Sequence, residues 1–332
     1  MGNLSDIRAV ETLIEVLEHP EPWWAKRVPI QFRIKFIGLG GGFPYVHLLK
    51  LKKDGTPDKR FVSLSKEQRN DFLDMVEYRL KHGNEKFMND SKQKLYYMEK
   101  ESIKIKPGNY RTYIASAGVK DLLDMLSWNG ISEASIQRGQ SALCNMKNEK
   151  SQLSPCFSLA EDFRTGLVPK FNGLGEISSE TLPLIHNGIL KNTLISSQTA
   201  KEYKLNSNYA SAGEYIRSPY MSGGNLKEDD VLKEIDRGLY LGNLHYLNWS
   251  DNIGGRITGM TRYACFWVED GKIVAPIENM RFDDSLYNFF GNNLESVNEN
   301  VIFNPETGTY NNRSLGGTYC PGILLSSFSL TL

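Results

Sequence analysis

The sequence is poor in net charge, histidine, paired cysteines and long apolar runs, and each shortage narrows what the chain can be. Its 39 basic and 39 acidic residues cancel over 332 positions. Neither sign gathers beyond short clusters such as Lys50-Leu51-Lys52-Lys53 or Glu228-Asp229-Asp230. That balance gives no electrostatic footprint for nucleic acid or an acidic membrane surface. No apolar run approaches the roughly 20 residues that span a bilayer, and Met1–Asp6 lacks the basic and apolar regions of a secretory leader. A cytoplasmic protein with no nucleic-acid or membrane partner is therefore expected. Met1-Gly2 without Ser or Thr at the sixth position disfavours myristoylation. The four cysteines, Cys144, Cys156, Cys265 and Cys320, form no C-x-x-C pair. In a reducing compartment they read first as small buried hydrophobes.

A hydrophobic fraction of 40% with 11% aromatics is ample for a packed core, and the length favours two domains. Residues 1–90 read as a mixed α/β region. Asp6 caps a helix with Val10, Leu13, Ile14 and Leu17 on one face. Pro29–Ile37 and Tyr45–Leu51 alternate as strands, and Ser65 opens a helix reaching about His82. Gly38-Leu39-Gly40-Gly41-Gly42 follows a strand but leads into Phe43-Pro44-Tyr45-Val46 and not a helix, so it reads as a hairpin or bulge and not as a phosphate cradle. A polar linker over 82–93 precedes the second unit, 91–332. There a short strand at Ile103–Lys106, a strand at Tyr110–Ala115 and a helix from Val119 are expected.

From Pro155 the texture becomes β-rich. Thr181–Ile185 and Ile189–Ile195 flank Asn187-Gly188, and Tyr263–Val268 and Lys272–Ile277 flank a turn on Asp270-Gly271. Both are strong hairpin signals. A helix over Lys227–Arg237 interrupts the strands, and Gly322–Leu330 is the last of them. The fold class is α+β: a short N-terminal α/β region, then a mainly antiparallel β domain, barrel- or sandwich-like, most pronounced over 155–332.

An ordered set of segments carries a family resemblance: Phe171-Asn172-Gly173-Leu174-Gly175, Leu182–Lys191, Asp236–Gly242, Ile257–Tyr263, Phe266–Ile273 and Ile277–Phe282. Over Pro107–Leu332 the chain resembles the C-terminal part of the TldD/PmbA family of peptidases, also described as modulators of DNA gyrase. The resemblance implies a peptidase, or a subunit of a proteolytic complex, acting on extended peptides. It implies a homodimer, or a heterodimer with a TldD/PmbA paralogue. Catalytic members carry His-Glu-x-x-x-His on a helix, with zinc held by the two imidazoles. The five histidines here, His19, His47, His82, His186 and His245, form no such pair. The chain is thus closest to the subunit type lacking that motif. No cofactor is expected, with zinc confined to a catalytic partner, and a non-catalytic subunit shaping the cavity of a zinc-protease paralogue is the alternative function. Regulation of a DNA enzyme draws no support from the neutral charge.

Candidate catalytic residues are His245, Cys265 and Cys320; candidate substrate-binding residues are Tyr246, Asp251, Arg256 and Arg262. His245 to Arg262 reads as one connection mixing titratable, aromatic and glycine residues, a pattern that suits a site. Cys265 beside Arg262 is a possible low-pKa nucleophile against a simple strand filler. Cys320 draws notice because, by the resemblance, catalytic members use a cysteine near the C-terminus as a zinc ligand. No metal site is assigned. His186, before Asn187-Gly188, reads as an exposed turn residue.

Overall fold

The computed structural model describes residues 93–306 and 315–331; the helices and strands expected in 1–90 lie outside them. The described residues belong to the unit Gln93–Leu332. Among the described residues it contains fifteen strands: β1 Gly108–Ile114, β2 Leu159–Asp162, β3 Thr181–His186, β4 Ile189–Leu190, β5 Pro219–Met221, β6 Gly238–Leu241, β7 Leu244–Asp251, β8 Arg256–Thr261, β9 Cys265–Glu269, β10 Lys272–Pro276, β11 Arg281–Ser285, β12 Leu294–Val297, β13 Ile302–Pro305, β14 Gly317–Cys320 and β15 Ile323–Leu330. A nine-stranded sheet runs β10-β9-β6-β1-β15-β11-β8-β7, with β12 also on β15, and a six-stranded sheet runs β13-β14-β5-β2-β3-β4. The larger sheet is curled and mostly antiparallel, and the class is α+β, as expected.

Both sequence-marked hairpins form, and for the local reason given. Asn187 and Gly188 have φ of 48° and 79°, Asp270 and Gly271 of 51° and 67°. Two successive left-handed residues make the turn whose twist matches paired strands. At Gly188 a Cβ would also strike the carbonyl of Leu153, so no other residue fits. The strand expected to continue to Ile195 stops at Leu190. There Lys191 N donates to Leu184 O at 2.8 Å, and Asn192 Nδ2 to Pro183 O at 2.7 Å, curling the chain away from the ladder. The strand expected at Ile103–Lys106 reduces to one parallel bridge, Ile103 with Ile277.

The helix Ser116–Met125 follows β1 directly, and Val119, Leu122, Leu123 and Leu126 form its buried stripe. Gly118 lets it lie close to β7: a Cβ there would meet Ile114 at 2.7 Å and Leu244 at 3.4 Å. The helix ends in an irregular turn over Leu126–Gly130, where Asn129 has φ 65°. One hydrophobic core joins both sheets. Phe157 stacks on Phe290 with centroids 4.4 Å apart, and Phe328 lies 5.0 Å from Phe282 and 5.7 Å from Phe289. All five rings are fully buried, each contributing about 2 kcal/mol of transfer free energy.

Candidate functional site

The C-terminal end of the Ser116–Met125 helix borders a cavity of about 720 Å³. Four further stretches complete its wall: Val168–Gly173, Ser211–Pro219, Glu306 and Leu315–Thr318. Asp124 and Glu306 bring carboxylates to it, and Trp128, Phe171 and Tyr215 bring exposed rings. Lys120 binds both acids, its Nζ 2.6 Å from Asp124 and 3.8 Å from Glu306. Burial pulls the Lys120 pKa down, but Asp124 and Glu306 outweigh it and the net shift is upward. The ammonium therefore stays charged and is no free base. Asp121, next on the helix, is pushed up to about 6, by burial first and by Asp124 as well, against the pull of Lys120.

A fixed loop forms one wall. Asn172 is buried and accepts from Leu174 N at 2.9 Å and Glu176 N at 3.1 Å. Its Nδ2 donates to Glu176 Oε2 at 2.7 Å and to the carbonyls of Ala210 at 3.2 Å and Tyr209 at 3.3 Å. This side chain adds to the loop's own backbone bonds, Asn172 N to Glu176 O and Ser178 N to Lys170 O, both at 3.0 Å, and Phe171 is left exposed. Arg217 braces the same wall, donating to Phe171 O at 2.7 Å and to Ser178 Oγ at 2.9 Å. Its nearest acid is the buried Glu161, at 3.8 Å.

Cys320 lies against the other end of the helix. Ser116 Oγ donates to Cys320 O at 2.6 Å, Asn304 Nδ2 donates to Ser116 Oγ at 2.7 Å, and the thiol is 3.3 Å from Ser116 O. Burial pushes its pKa up to about 12. Zinc needs deprotonated sulfur with imidazole or carboxylate partners in tetrahedral array. In hydrogen-bond contact with Cys320 stand instead a hydroxyl, an amide and backbone, while Asp124, Lys120 and Asp121 act on it only through their charges, and this set does not fit the ion. Among the described residues no three His, Cys, Asp or Glu side chains are grouped to hold a metal.

The sequence-predicted residues divide into two groups. His245, Tyr246, Arg262 and Cys265 meet at one end of the β7–β8 pair. Arg262 Nη1 lies 2.8 Å from His245 Nε2; a guanidinium only donates, so the imidazole accepts there. Arg262 stacks on Tyr263 at 4.9 Å, and Tyr246 packs on His245 at 5.2 Å while 82% exposed. Tyr246, Tyr263 and Ala264 have φ of 57°, 52° and 45°, left-handed values that such residues rarely adopt. Cys265 is buried, its thiol 3.3 Å from Tyr263 O and 3.5 Å from Asn243 O and Arg262 O. Burial raises its pKa to about 11. Of the two readings of Cys265, the surroundings favour the buried strand filler: burial raises the thiol, and the Arg262 guanidinium turns to His245.

Asp251 and Arg256 stand at the opposite end. Asp251 Oδ1 accepts from Gly254 N at 3.0 Å, and Arg256 is committed to Asp283 through contacts of 2.5 and 2.9 Å. The segment from His245 to Arg262 is accordingly two paired strands and not a loop. His186 is an exposed strand end, beside the turn as read. Sequence reasoning missed Asp124, Trp128, Tyr215, Arg217 and Glu306. The one signal that touches this wall in the sequence is Phe171–Gly175, which carries the resemblance but no chemistry of its own.

The model of the PmbA/TldA metallopeptidase C-terminal domain matches residues 107–332. Among curated proteins the chain is 29% identical over 125 residues to a metalloprotease PmbA homologue of Buchnera aphidicola, covering 38% of this chain and 27% of that protein. It is 26% identical over 185 residues to a metalloprotease TldD homologue of the same organism, covering 52% of this chain and 37% of that protein. TldE from Thermococcus kodakarensis superposes with a TM-score of 0.59 at 16% identity, covering 72% of this chain and 54% of that one. That likeness concerns the fold. The chain spans about half or less of the length of each of these proteins.

Proposed function

The chain belongs to the PmbA/TldD metallopeptidase-like family, and on that premise we propose that it is the peptide-holding subunit of a proteolytic assembly, dimeric with itself or with a paralogue that performs the hydrolysis. The observation carrying this reading is the cavity of about 720 Å³, which joins exposed aromatic rings to carboxylates on a rigid wall. Such a site binds an extended chain through side-chain slots, while an open sheet edge offers backbone pairing. The edges β7, β10, β4 and β13 are all at the ends of their sheets, and unpaired edges favour cover by a partner.

Amide hydrolysis requires an activated nucleophile and donors for the oxyanion. The buried thiols of Cys265 and Cys320 are held protonated, near 11 and 12. Lys120 is paired with acids and His245 with Arg262. These groups favour the holding role over a hydrolytic one. The test is cleavage of a fluorogenic unstructured peptide by this chain, by a paralogue bearing His-Glu-x-x-x-His, and by the mixture. Background cleavage by this chain alone, co-purification of the two, and a faster mixture are expected. Cleavage by this chain alone in chelator refutes the reading. A monomer by light scattering at micromolar concentration, with no partner recovered, refutes the assembly.

A further inference from the structure

We propose that the corner formed by His245, Tyr246, Arg262 and Tyr263 binds a carboxylate of the held peptide, either its free C-terminus or an acidic side chain. The inference rests on the peptide-holding role and names the group that this end of β7 grips. Unmatched charge is the first argument. Arg111, Arg164, Arg217, Arg237 and Arg256 each face a carboxylate. Among the described residues Arg262 has no carboxylate within ion-pair distance. Its half-buried guanidinium is instead pinned between His245 Nε2, at 2.8 Å, and the Tyr263 ring, at 4.9 Å. The bond to His245 uses one N–H, and the others remain in a planar fork that matches a carboxylate. Because the imidazole accepts at Nε2, the neutral ring carries its proton on Nδ1 and brings a further donor to the corner.

The surroundings suit an anion as well. The carbonyls of Asn243, Arg262 and Tyr263 lie 3.5, 3.5 and 3.3 Å from the buried Cys265 thiol, so the acceptors that would repel a carboxylate are turned inward. Tyr246 and Tyr263 are 82% and 56% exposed and offer apolar flanks to the residue that carries the charge. Tyr246, Tyr263 and Ala264 all hold left-handed backbone, a strain that clusters where it positions groups for a ligand. β7 also links this corner to the cavity. Trp249, four residues beyond His245, donates from Nε1 to Trp128 O at 3.2 Å, and Trp128 lines the cavity. Such a run of strand covers about 13 Å, the reach of about four extended peptide residues, and β7 stands at the end of its sheet. A peptide seated in the cavity can thus bring a carboxylate to Arg262.

The experiment compares four labelled peptides by fluorescence anisotropy on the full chain. All share one sequence without other acidic residues; one ends in a free acid, one in an amide, and two amides end in glutamate or glutamine. The free acid is expected to bind about tenfold more tightly than its amide, or the glutamate peptide about tenfold more tightly than the glutamine one; which pair differs identifies the source of the carboxylate. Arg262→Gln should bring the preferred peptide to within about twofold of its neutral counterpart. If that variant does not fold, competition on the unaltered chain decides: N-acetylglycine should displace the preferred peptide and N-acetylglycinamide should not. Displacement by inorganic phosphate but not by N-acetylglycine overturns the carboxylate assignment. Equal binding of all four peptides overturns the corner while the peptide-holding role stands. If no peptide binds but N-acetylglycine shifts the His245 ring signal in NMR, assigned by its loss in His245→Gln, the corner stands and that role falls. If neither binds, both fall.

Discussion

Asn172→Ala tests whether the cavity wall is held by one side chain. Among backbone partners, the substitution removes the acceptor of Leu174 N at 2.9 Å and Glu176 N at 3.1 Å, and the donor to Ala210 O at 3.2 Å. Each such bond is worth about 1 kcal/mol net, which gives about 3 kcal/mol. The longer contact to Tyr209 O and the water-screened bond to Glu176 add little to this. For a unit of this size 1 kcal/mol moves the melting temperature by roughly 2–4 °C, so a fall of about 6–12 °C is expected. Scanning calorimetry at pH 7 measures it. Hydrogen exchange should show faster exchange at Leu174 and Glu176, with the β9–β10 hairpin unchanged. A fall below about 2 °C would mean that water replaces the lost partners and that the wall is held from elsewhere.

Further substitutions and labels probe other parts of the structure. Asp121→Asn should stabilise the protein at pH 7.5: the folded carboxyl, near 6, binds its proton more tightly than the free group at 3.8, so ionisation costs stability as pH rises through that window. The gain should shrink at pH 4.5 in paired melts, and an equal gain at both values refutes the assignment. Timed iodoacetamide labelling at pH 8 should modify exposed Cys156 first and spare Cys265 and Cys320 until unfolding; labelling of either at the rate of Cys156 contradicts their burial. Gly271→Ala should cost about 1–2 kcal/mol for its left-handed conformation, whereas Gly188→Ala should cost clearly more, because its Cβ meets the Leu153 carbonyl; equal denaturation midpoints count against that contact. Elemental analysis should find well under one zinc per purified chain, and about one would promote Cys320, His245 and Cys265 as ligands.

The turns could be read because their chemistry is local. Asn187-Gly188 and Asp270-Gly271 specify left-handed pairs wherever they occur, and both hairpins form accordingly. The site could be read only where it too was local: Arg262 reaches His245 because β7 and β8 are neighbours. Closeness in sequence groups Asp251 and Arg256 with them, but six residues of extended strand cover about 20 Å. The cavity depended on register between distant segments. Asp124, Phe171, Arg217 and Glu306 come from four separate parts of the chain, and only Phe171 stands in a segment that the sequence marks. The Cys265 thiol illustrates a different limit: adjacency to an arginine in sequence says nothing about where the guanidinium points, and burial decided the outcome.

The pairing of β1 with β15, Gly108 against Leu330 through Ile114 against Ile323, sets the order in which the domain can form. Local hairpins such as β9–β10 close in microseconds, but the centre of the large sheet joins residues more than two hundred positions apart. Loop-closure entropy makes such contacts slow. On a ribosome, β1 emerges long before β15 with its β15 side unsatisfied, and the sheet cannot close until β15 has left the exit tunnel. In that interval an apolar strand edge is open to neighbouring chains. Lowering the expression temperature or supplying a holdase should therefore raise soluble yield without changing the stability of the finished fold.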